Sequence, residues 1–401
     1  MMNILFIGGA YSENQIEKFR VNSKRGFSYS AQTFQEACLK GLELNNVSYN
    51  VISNPYLSTF PFGYKCPIII SSNFIFNGRE KGISLGSINV PFLKSPSFRK
   101  ALKYADSWYN GCAGMKIVVT YNMSKFQMSL ALKLKQQYPD IKLICIIADL
   151  PIHTRYNTIY SLLGLKEKTI KYLMNNVAKF DGFVLLTEPM KDIIKIAHKP
   201  YVVMEGMYQE KEEKLIRNKS DKKVVFYSGA LVGMYGVNDL LDAFMKIDDE
   251  NYELHLCGDG DSVPRILEMT KTNKRIKYFG VLPNEETRQL QRDATLLVNP
   301  RHSSEEFTAF SFPSKTLEYL ASGTPTLMAP LKCLPAEYKE YLYFFEDESV
   351  EGMSKKIVEV CNISPLALEE RGKMARKFVL SEKNAKNQMK RICDFIVNNF
   401  S

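Results

Sequence analysis

Twelve short apolar runs, separated by stretches of helical periodicity, limit what this chain can become more than any other feature. In the first half they are Ile4–Ile7, Val47–Ile52, Ile117–Thr120, Leu143–Ala148, Phe183–Leu186 and Tyr201–Met204. In the second they are Lys223–Ser228, Glu253–Cys257, Ile276–Phe279, Leu296–Asn299, Thr326–Ala329 and Leu342–Phe345. A strand that is apolar on both faces needs cover on both, and alternating helices supply it, so the pattern predicts α/β layers around parallel sheets. At 401 residues the chain is too long for one core, and two sets of strands predict two doubly wound domains.

Between the sets lies 209–223, almost wholly charged or polar, which reads as a solvated segment at a domain junction, with the second domain beginning near Lys222. Charge divides there too. Residues 1–200 carry 25 Lys and Arg against 12 Asp and Glu, whereas residues 201–401 carry 28 against 31. The formal excess of +10 therefore comes from the first half, which suits an anionic partner: nucleic acid, an acidic membrane or a phosphorylated substrate. The basic residues are not interleaved with aromatics in a nucleic-acid motif, which sets that partner aside. The eight cysteines show no C-x-x-C pair and no His at ligand spacing, so they predict buried thiols of a reduced protein and no metal site. The opening run, Met1 to Gly9, lacks the basic region of a signal peptide, and no apolar stretch nears the ~20 residues of a spanning helix. The expected location is cytoplasmic, with peripheral attachment to the inner face of the membrane as a further possibility.

Four motifs invite a chemical reading, and each has a duller one. Gly8-Gly9 closes the first strand, where a glycine turn lets backbone approach a ligand but more often marks only a tight turn. Asp259-Gly260-Asp261 has the look of a metal-binding pair, yet its setting indicates a strand-to-helix turn with acids for helix capping. Gly229, Gly233 and Gly236 open onto the amphipathic pattern Val237–Phe244, which suits an anion cradle but lacks the Lys of a P-loop. The most informative stretch runs from Val298 to Pro325: a strand end, a polar loop, a short helix opened by Pro313-Ser314 and ended by Gly323. Lys315 and Glu318, three apart, share a helix face. A cation at a helix N-terminus suits a diphosphate, and a carboxylate one turn deeper suits two ribose hydroxyls. A surface ion pair is an equal alternative from spacing alone.

The segment Ser311-Phe-Pro-Ser-Lys-Thr-Leu-Glu-Tyr-Leu-Ala-Ser-Gly-Thr-Pro325 resembles the donor-binding signature of the family 4 retaining glycosyltransferases, in the form typical of their bacterial polysaccharide-biosynthesis subgroup, which serves capsule and exopolysaccharide. Gly8-Gly9, Asp149-Leu150-Pro151, the stretch 181–188, Tyr227-Ser228-Gly229, the stretch 256–260 and the stretch 298–301 match in the same order. The resemblance implies the GT-B fold, two Rossmann-like domains facing across a cleft. Residues 1–206 would bind the acceptor, 207–221 would link, 222–380 would bind the nucleotide sugar, and 381–401 would form a helix crossing back to the first domain. It implies transfer from a UDP- or GDP-sugar to a glycan acceptor, lipid-linked, with no cofactor and no metal. Lys315 would contact the donor pyrophosphate and Glu318 the ribose, backbone at Val281 and Leu282 would hold the base, and Gly229, Gly236, Ser311 and Ser314 would line the donor site. Three positions depart from the family pattern. Phe310 stands where the family places its first Glu, leaving the donor sugar to Glu305 or Glu306, and Ala230 and Tyr235 stand where it places an Arg and a Lys. Neutralising the diphosphate would then fall to Lys315, loop amides and Arg301.

Retention without a nucleophile, as in that family, implies attack on the face from which the diphosphate departs, with a phosphate oxygen taking the acceptor's proton. Asp149 is the first candidate for positioning the acceptor, and His153 the second. Gly8, Gly9, Arg20, Lys24 and Arg25 are acceptor-side candidates, the basic loop as a phosphate clamp or simply as solvated charge. Phe98, Leu102, Ala105, Trp108 and Tyr109 can share one helix side with Arg99, Lys100 and Lys103 beside it, as on an interfacial helix at an anionic membrane; a helix packed on the sheet is an equal reading. Met389, Ile392, Ile396 and Phe400 likewise share a side of the pattern 382–400. The rival functions are a non-catalytic nucleotide- or glycan-binding subunit and a nucleotide-sugar epimerase, the latter lacking an evident acid/base pair.

Overall fold

The computed structural model describes residues 2–24, 29–91, 93–152, 164–196, 198–209, 217–218 and 220–401. The chain divides into two compact units, one of Met1–Met207 with Ala385–Ser401 and one of Tyr208–Asn384. Each is a doubly wound, Rossmann-like layer structure. Of the 209–223 segment, 210–216 and 219 lie outside the described residues.

The first unit contains β1 (Met2–Gly8), β2 (Ser48–Ser53), β3 (Ile68–Ile69), β4 (Ser72–Phe76), β5 (Arg79–Ser84), β6 (Ser87–Ile88), β7 (Ser95–Pro96), β8 (Met115–Tyr121), β9 (Lys142–Ile147), β10 (Gly182–Leu185) and β11 (Tyr201–Val203). The main sheet has the order β11-β10-β9-β8-β1-β2-β5-β4 and is parallel except for β4 against β5. In its centre Ile4 pairs with Tyr49 on one side and Ile117 on the other. Ile4, Leu5, Phe6 and Ile7 are all buried, which is why the run is apolar at every position. The order reverses at β1, so the crevice between the carboxyl ends of β1 and β8 is where such a sheet takes a ligand.

The segment between β2 and residue 98 departs from the strand reading above, which has none there. Asn77 (φ 49°) and Gly78 (φ 69°) form a two-residue turn between β4 and β5, and the Glu13 carboxylate accepts both turn amides, from Asn77 at 2.6 Å and Gly78 at 3.0 Å. The Asn-Gly hairpin signal was present in the sequence. Strands β3, β6 and β7 make a separate small antiparallel sheet.

The helix Phe98–Gly111 buries Ala101, Ala105 and Trp108. Phe98 meets Phe126 edge-on with centroids 6.0 Å apart, and Tyr109 stacks on Tyr138 at 3.7 Å. The interfacial-helix reading is therefore corrected: the apolar face is already spent inside the protein. The helix Ala385–Phe400 belongs to the first unit, where Met389, Ile392, Cys393 and Ile396 join the core formed by Phe6, Leu39, Leu42 and Val184. Among the described residues no helix is long and apolar enough to cross a membrane.

The second unit contains β12 (Lys223–Ala230), β13 (Tyr252–Asp259), β14 (Ile276–Tyr278), β15 (Leu296–Asn299), β16 (Thr326–Met328) and β17 (Tyr343–Phe344), all parallel in the order β14-β13-β12-β15-β16-β17. Leu240, Leu241 and Phe244 of the helix Val237–Met245 and Met353, Ile357 and Val360 of the helix Val350–Cys361 cover one face. Here the order reverses between β12 and β15.

Candidate functional site

The loops leaving β12 and β15 flank that reversal, and they touch. Gly236 has φ +77°, and a Cβ there would lie 2.0 Å from the Pro300 carbonyl oxygen. Glycine is thus required twice over, by backbone conformation and by the approach of the neighbouring loop. Gly229 and Gly258 make a similar close pair across β12 and β13.

The β12 loop is held from within. Asp261 accepts from the Gly233 amide at 2.8 Å, and Asp259 accepts from the Gly260 amide at 2.9 Å. The amides of Leu231, Tyr235 and Gly236 donate to Asp259, Val232 and Gly233 carbonyls. This corrects two readings: Asp261 holds the glycine loop instead of capping a helix, and these amides are not a vacant anion cradle. Among the described residues no cluster of three or more His, Cys, Asp or Glu is arranged to hold a metal.

Beside this loop the helix Lys315–Ser322 begins at Ser314, an exposed cap residue with no side-chain capping bond; Ser311 is half-buried just ahead of it. Lys315 Nζ donates to both oxygens of Glu318 at 3.0 Å. Their side chains are 36% and 27% exposed. Glu318 is fixed from behind: Gln291 Nε2 donates to Glu318 Oε1 at 2.6 Å and to Ser228 Oγ at 3.1 Å. Ser228, at the end of β12, donates its amide to the Tyr319 hydroxyl at 2.8 Å, and that hydroxyl donates to the Ser228 carbonyl at 3.0 Å. Burial drives the Tyr319 phenol far up from its ordinary value, so it stays neutral and bridges both groups. A chain of hydrogen bonds therefore ties the Lys315–Glu318 pair to the carboxyl end of β12, in the middle of the sheet. Sequence reasoning missed Gln291 and Tyr319.

Arg301 follows β15. Its guanidinium lies 4.4 Å from the Tyr235 ring centroid and 5.6 Å from that of Phe307, and Nη1 is buried without a hydrogen-bond partner. Tyr235, which occupies a position where the resemblance expects a cation, is thus the platform on which another cation rests. Burial pushes the nearby Tyr227 hydroxyl up to about 12, with Arg301 opposing, and it donates to the Ala230 carbonyl at 3.0 Å. His302, next in sequence, lies 2.7 Å from Asp239 and 3.5 Å from Glu348, and Glu348 also accepts from the amide and hydroxyl of Ser303. This clasp, also missed, fastens the β15 loop to the helix Val237–Met245 and to the turn before the helix Val350–Cys361. Glu305 and Glu306 are exposed on the same loop, and Phe310 is half-buried at its end. Val281 is exposed, while Leu282 packs on the Phe226–Leu297–Tyr319 cluster.

In the first unit the candidates divide. Gly8 and Gly9 are buried, and a Cβ on Gly9 would lie 2.5 Å from the Tyr56 ring, so the turn accommodates packing rather than leaving room for a ligand. Tyr56 fills the crevice end, its hydroxyl donating to the Tyr121 carbonyl at 3.2 Å. Asp149 is exposed after β9; its amide donates to Asn122 Oδ1 at 3.1 Å, and Asn122 Nδ2 donates to its Oδ2 at 3.3 Å. Arg20 pairs with Glu17 on the surface at 2.8 Å, and Lys24 donates to the Pro61 carbonyl at 2.8 Å. His153 and Arg25 lie outside the described residues.

Solved structures match the whole chain in fold. Sucrose-phosphate synthase from Thermosynechococcus elongatus is 14% identical, with 100% of this chain and 99% of that one covered at a TM-score of 0.61. The lipopolysaccharide outer core galactosyltransferase WaaB, in its apo form, is 14% identical, with 99% of each chain covered at 0.62. HepE from Anabaena, solved in complex with UDP, is 11% identical, with 99% and 100% covered at 0.59. The architecture they share with this chain is the GT-B fold. Residues 208–378, nearly all of the second unit, match the family described as glycosyl transferases group 1. No sequence relative among curated proteins matches.

Proposed function

We propose that this protein is a retaining glycosyltransferase of the family 4 polysaccharide-biosynthesis type, moving a sugar from a UDP- or GDP-linked donor to a lipid-linked glycan acceptor. The observation that carries the reading is the Lys315–Glu318–Gln291–Ser228 chain at the reversal point of the second sheet, inside the glycosyltransferase-matched residues. Lys315 meets the diphosphate, and Glu318, oriented by Gln291, takes the ribose hydroxyls. Arg301, resting against the neighbouring rings of Tyr235 and Phe307, is the second cation for the leaving group. Two positioned cations stabilise the departing diphosphate electrostatically, so the reading requires no metal step. The bond from the anomeric carbon to the leaving phosphate oxygen breaks, the acceptor oxygen bonds to that carbon on the same face, and its proton passes to the leaving phosphate. Asp149 positions the acceptor, and Glu305 or Glu306 replaces the donor-sugar contact that Phe310 does not make. The UDP held by HepE and the galactosyl transfer named for WaaB favour a nucleotide sugar.

Phe310, Ala230 and Tyr235 favour a second reading, a nucleotide-binding subunit without transfer. A thermal-shift panel of UDP- and GDP-sugars, followed by measurement of released UDP or GDP, separates them. Stabilisation with release supports the transferase; stabilisation without release from any donor supports the binding subunit. No stabilisation by any nucleotide or nucleotide sugar overturns both.

A further inference from the structure

The sheet β3–β6–β7 has its faces the wrong way for a surface exposed to water. In β3, Ile69 turns inward onto Leu57, Tyr64 and Phe19. The alternate positions on such a strand are ordinarily polar, yet here they are Ile68 and Ile70, with Ile88 of β6 directly opposite Ile68. All three are more than half exposed, as are Leu93, in the turn between β6 and β7, and Phe62. Phe62 lies in a loop fastened to the same sheet: the Phe60 amide donates to the Asn89 carbonyl at 2.8 Å, and the Asn89 amide to the Pro67 carbonyl at 2.7 Å. Single exposed apolar side chains carry no meaning, but a contiguous group does.

The chain that builds this face is basic. The stretches 54–78 and 82–105, which hold the whole sheet, contain no Asp or Glu but include Lys65, Lys94, Arg99, Lys100 and Lys103. Lys24, Lys65 and Lys94 donate to the carbonyls of Pro61, Val21 and Leu57. Among the described residues no carboxylate forms an ion pair with them; burial pulls Lys94 below the ordinary lysine value, which leaves Lys24 and Lys65 as the stronger charges of the three.

From these two features we infer that the β3–β6–β7 face docks on an anionic lipid bilayer, with the isoleucines, Leu93 and Phe62 entering the acyl boundary and the lysines meeting lipid phosphates. A second copy of the chain is a poor occupant, because a two-fold contact sets lysine against lysine. The inference goes beyond the proposed function and rests on it only for the reason a membrane is needed, the lipid-linked acceptor.

Cosedimentation of the full chain with vesicles tests it, using pure phosphatidylcholine and mixtures with about a third phosphatidylglycerol. The protein is expected to bind the anionic vesicles only, and added salt to weaken that binding. Ile68→Ser with Ile70→Ser and Ile88→Ser is expected to lower the partition about tenfold or more. Lys65→Glu with Lys100→Glu should do the same while leaving secondary structure unchanged. If the triple variant does not fold, Ile70→Ser alone serves, with an expected loss of about threefold. Absence of vesicle binding, equal binding to neutral vesicles, or folded variants that bind like the wild type would each overturn the proposal. So would a wild-type dimer that the serine variant dissociates. Nucleotide release in solution, without vesicles, reports on the second unit separately, so failure of docking and failure of the transferase reading are told apart.

Discussion

Replacing Lys315 by Ala asks two different things of the same side chain, and their magnitudes differ enough to separate them. In the free protein Lys315 is paired with Glu318 at i,i+3, both side chains being about a third exposed. Solvent screening holds such a pair to about 0.2–0.5 kcal/mol. Glu318 keeps its bond from Gln291 when the lysine goes, so no buried charge is left unpaired. For a unit of this size the change in melting temperature is then expected to be about 2 °C or less. Against a diphosphate the same ammonium makes charge-assisted bonds worth about 1.5–3 kcal/mol. At about 1.36 kcal/mol per factor of ten, that is a loss of roughly 10- to 150-fold in nucleotide affinity and in kcat/KM for the donor. The assays are calorimetric titration with UDP and GDP, initial-rate kinetics and thermal unfolding of the same preparations. Lys315→Arg, which keeps the charge, should recover part of the loss. A Lys315→Ala protein that binds nucleotide and turns over donor at wild-type levels would refute the assignment and leave the pair a surface ion pair.

Arg301→Ala should raise the KM for the donor about tenfold and lower stability by about 0.5–2 kcal/mol, the worth of a partly exposed cation–π contact; an unchanged KM removes Arg301 from the donor site. Gly236→Ala meets both the Pro300 oxygen and a positive φ, and should cost about 2–3 kcal/mol in urea unfolding. A variant within about 0.5 kcal/mol of wild type would show that the two loops move apart freely. Removing 385–401 takes Met389, Ile392 and Ile396 out of the first core. At about 1.5–3 kcal/mol each, this approaches the whole net stability of a domain, about 5–15 kcal/mol. The shortened chain should be insoluble or show first-unit signals of an unfolded protein in NMR; a soluble, well-dispersed spectrum would contradict the packing.

The strands were legible because burial on two faces leaves a composition that helices and loops do not mimic: the run Leu143–Ala148 is β9, and the run Ile4–Ile7 is the centre of β1. Strands of two residues leave no such trace, so β3, β6 and β7 went unread, and only Asn77-Gly78 offered a signal in that region. The helix Phe98–Gly111 shows why periodicity has a limit, because a stripe built to enter a membrane and one built to cover a sheet have the same spacing. Trp108 is buried for the second reason. At the site, the spacing of Lys315 and Glu318 revealed a shared face. The partners that orient them lie 27 residues apart from Gln291 to Glu318 and 63 from Gln291 to Ser228, and nothing local encodes such pairs. The same holds for His302, whose acid partners arrive from two other elements.

The placement of Ala385–Phe400 in the first unit also sets an order of events during synthesis. All of the second unit is made before that helix exists, and at ordinary translation rates residues 208–401 take about 10–40 s. For that interval the first unit waits with the apolar side of its Tyr29–Leu44 helix uncovered, while the second unit has everything it needs to fold. The half of the chain made first is therefore the half completed last, and it is where a ribosome-bound chaperone would be retained longest.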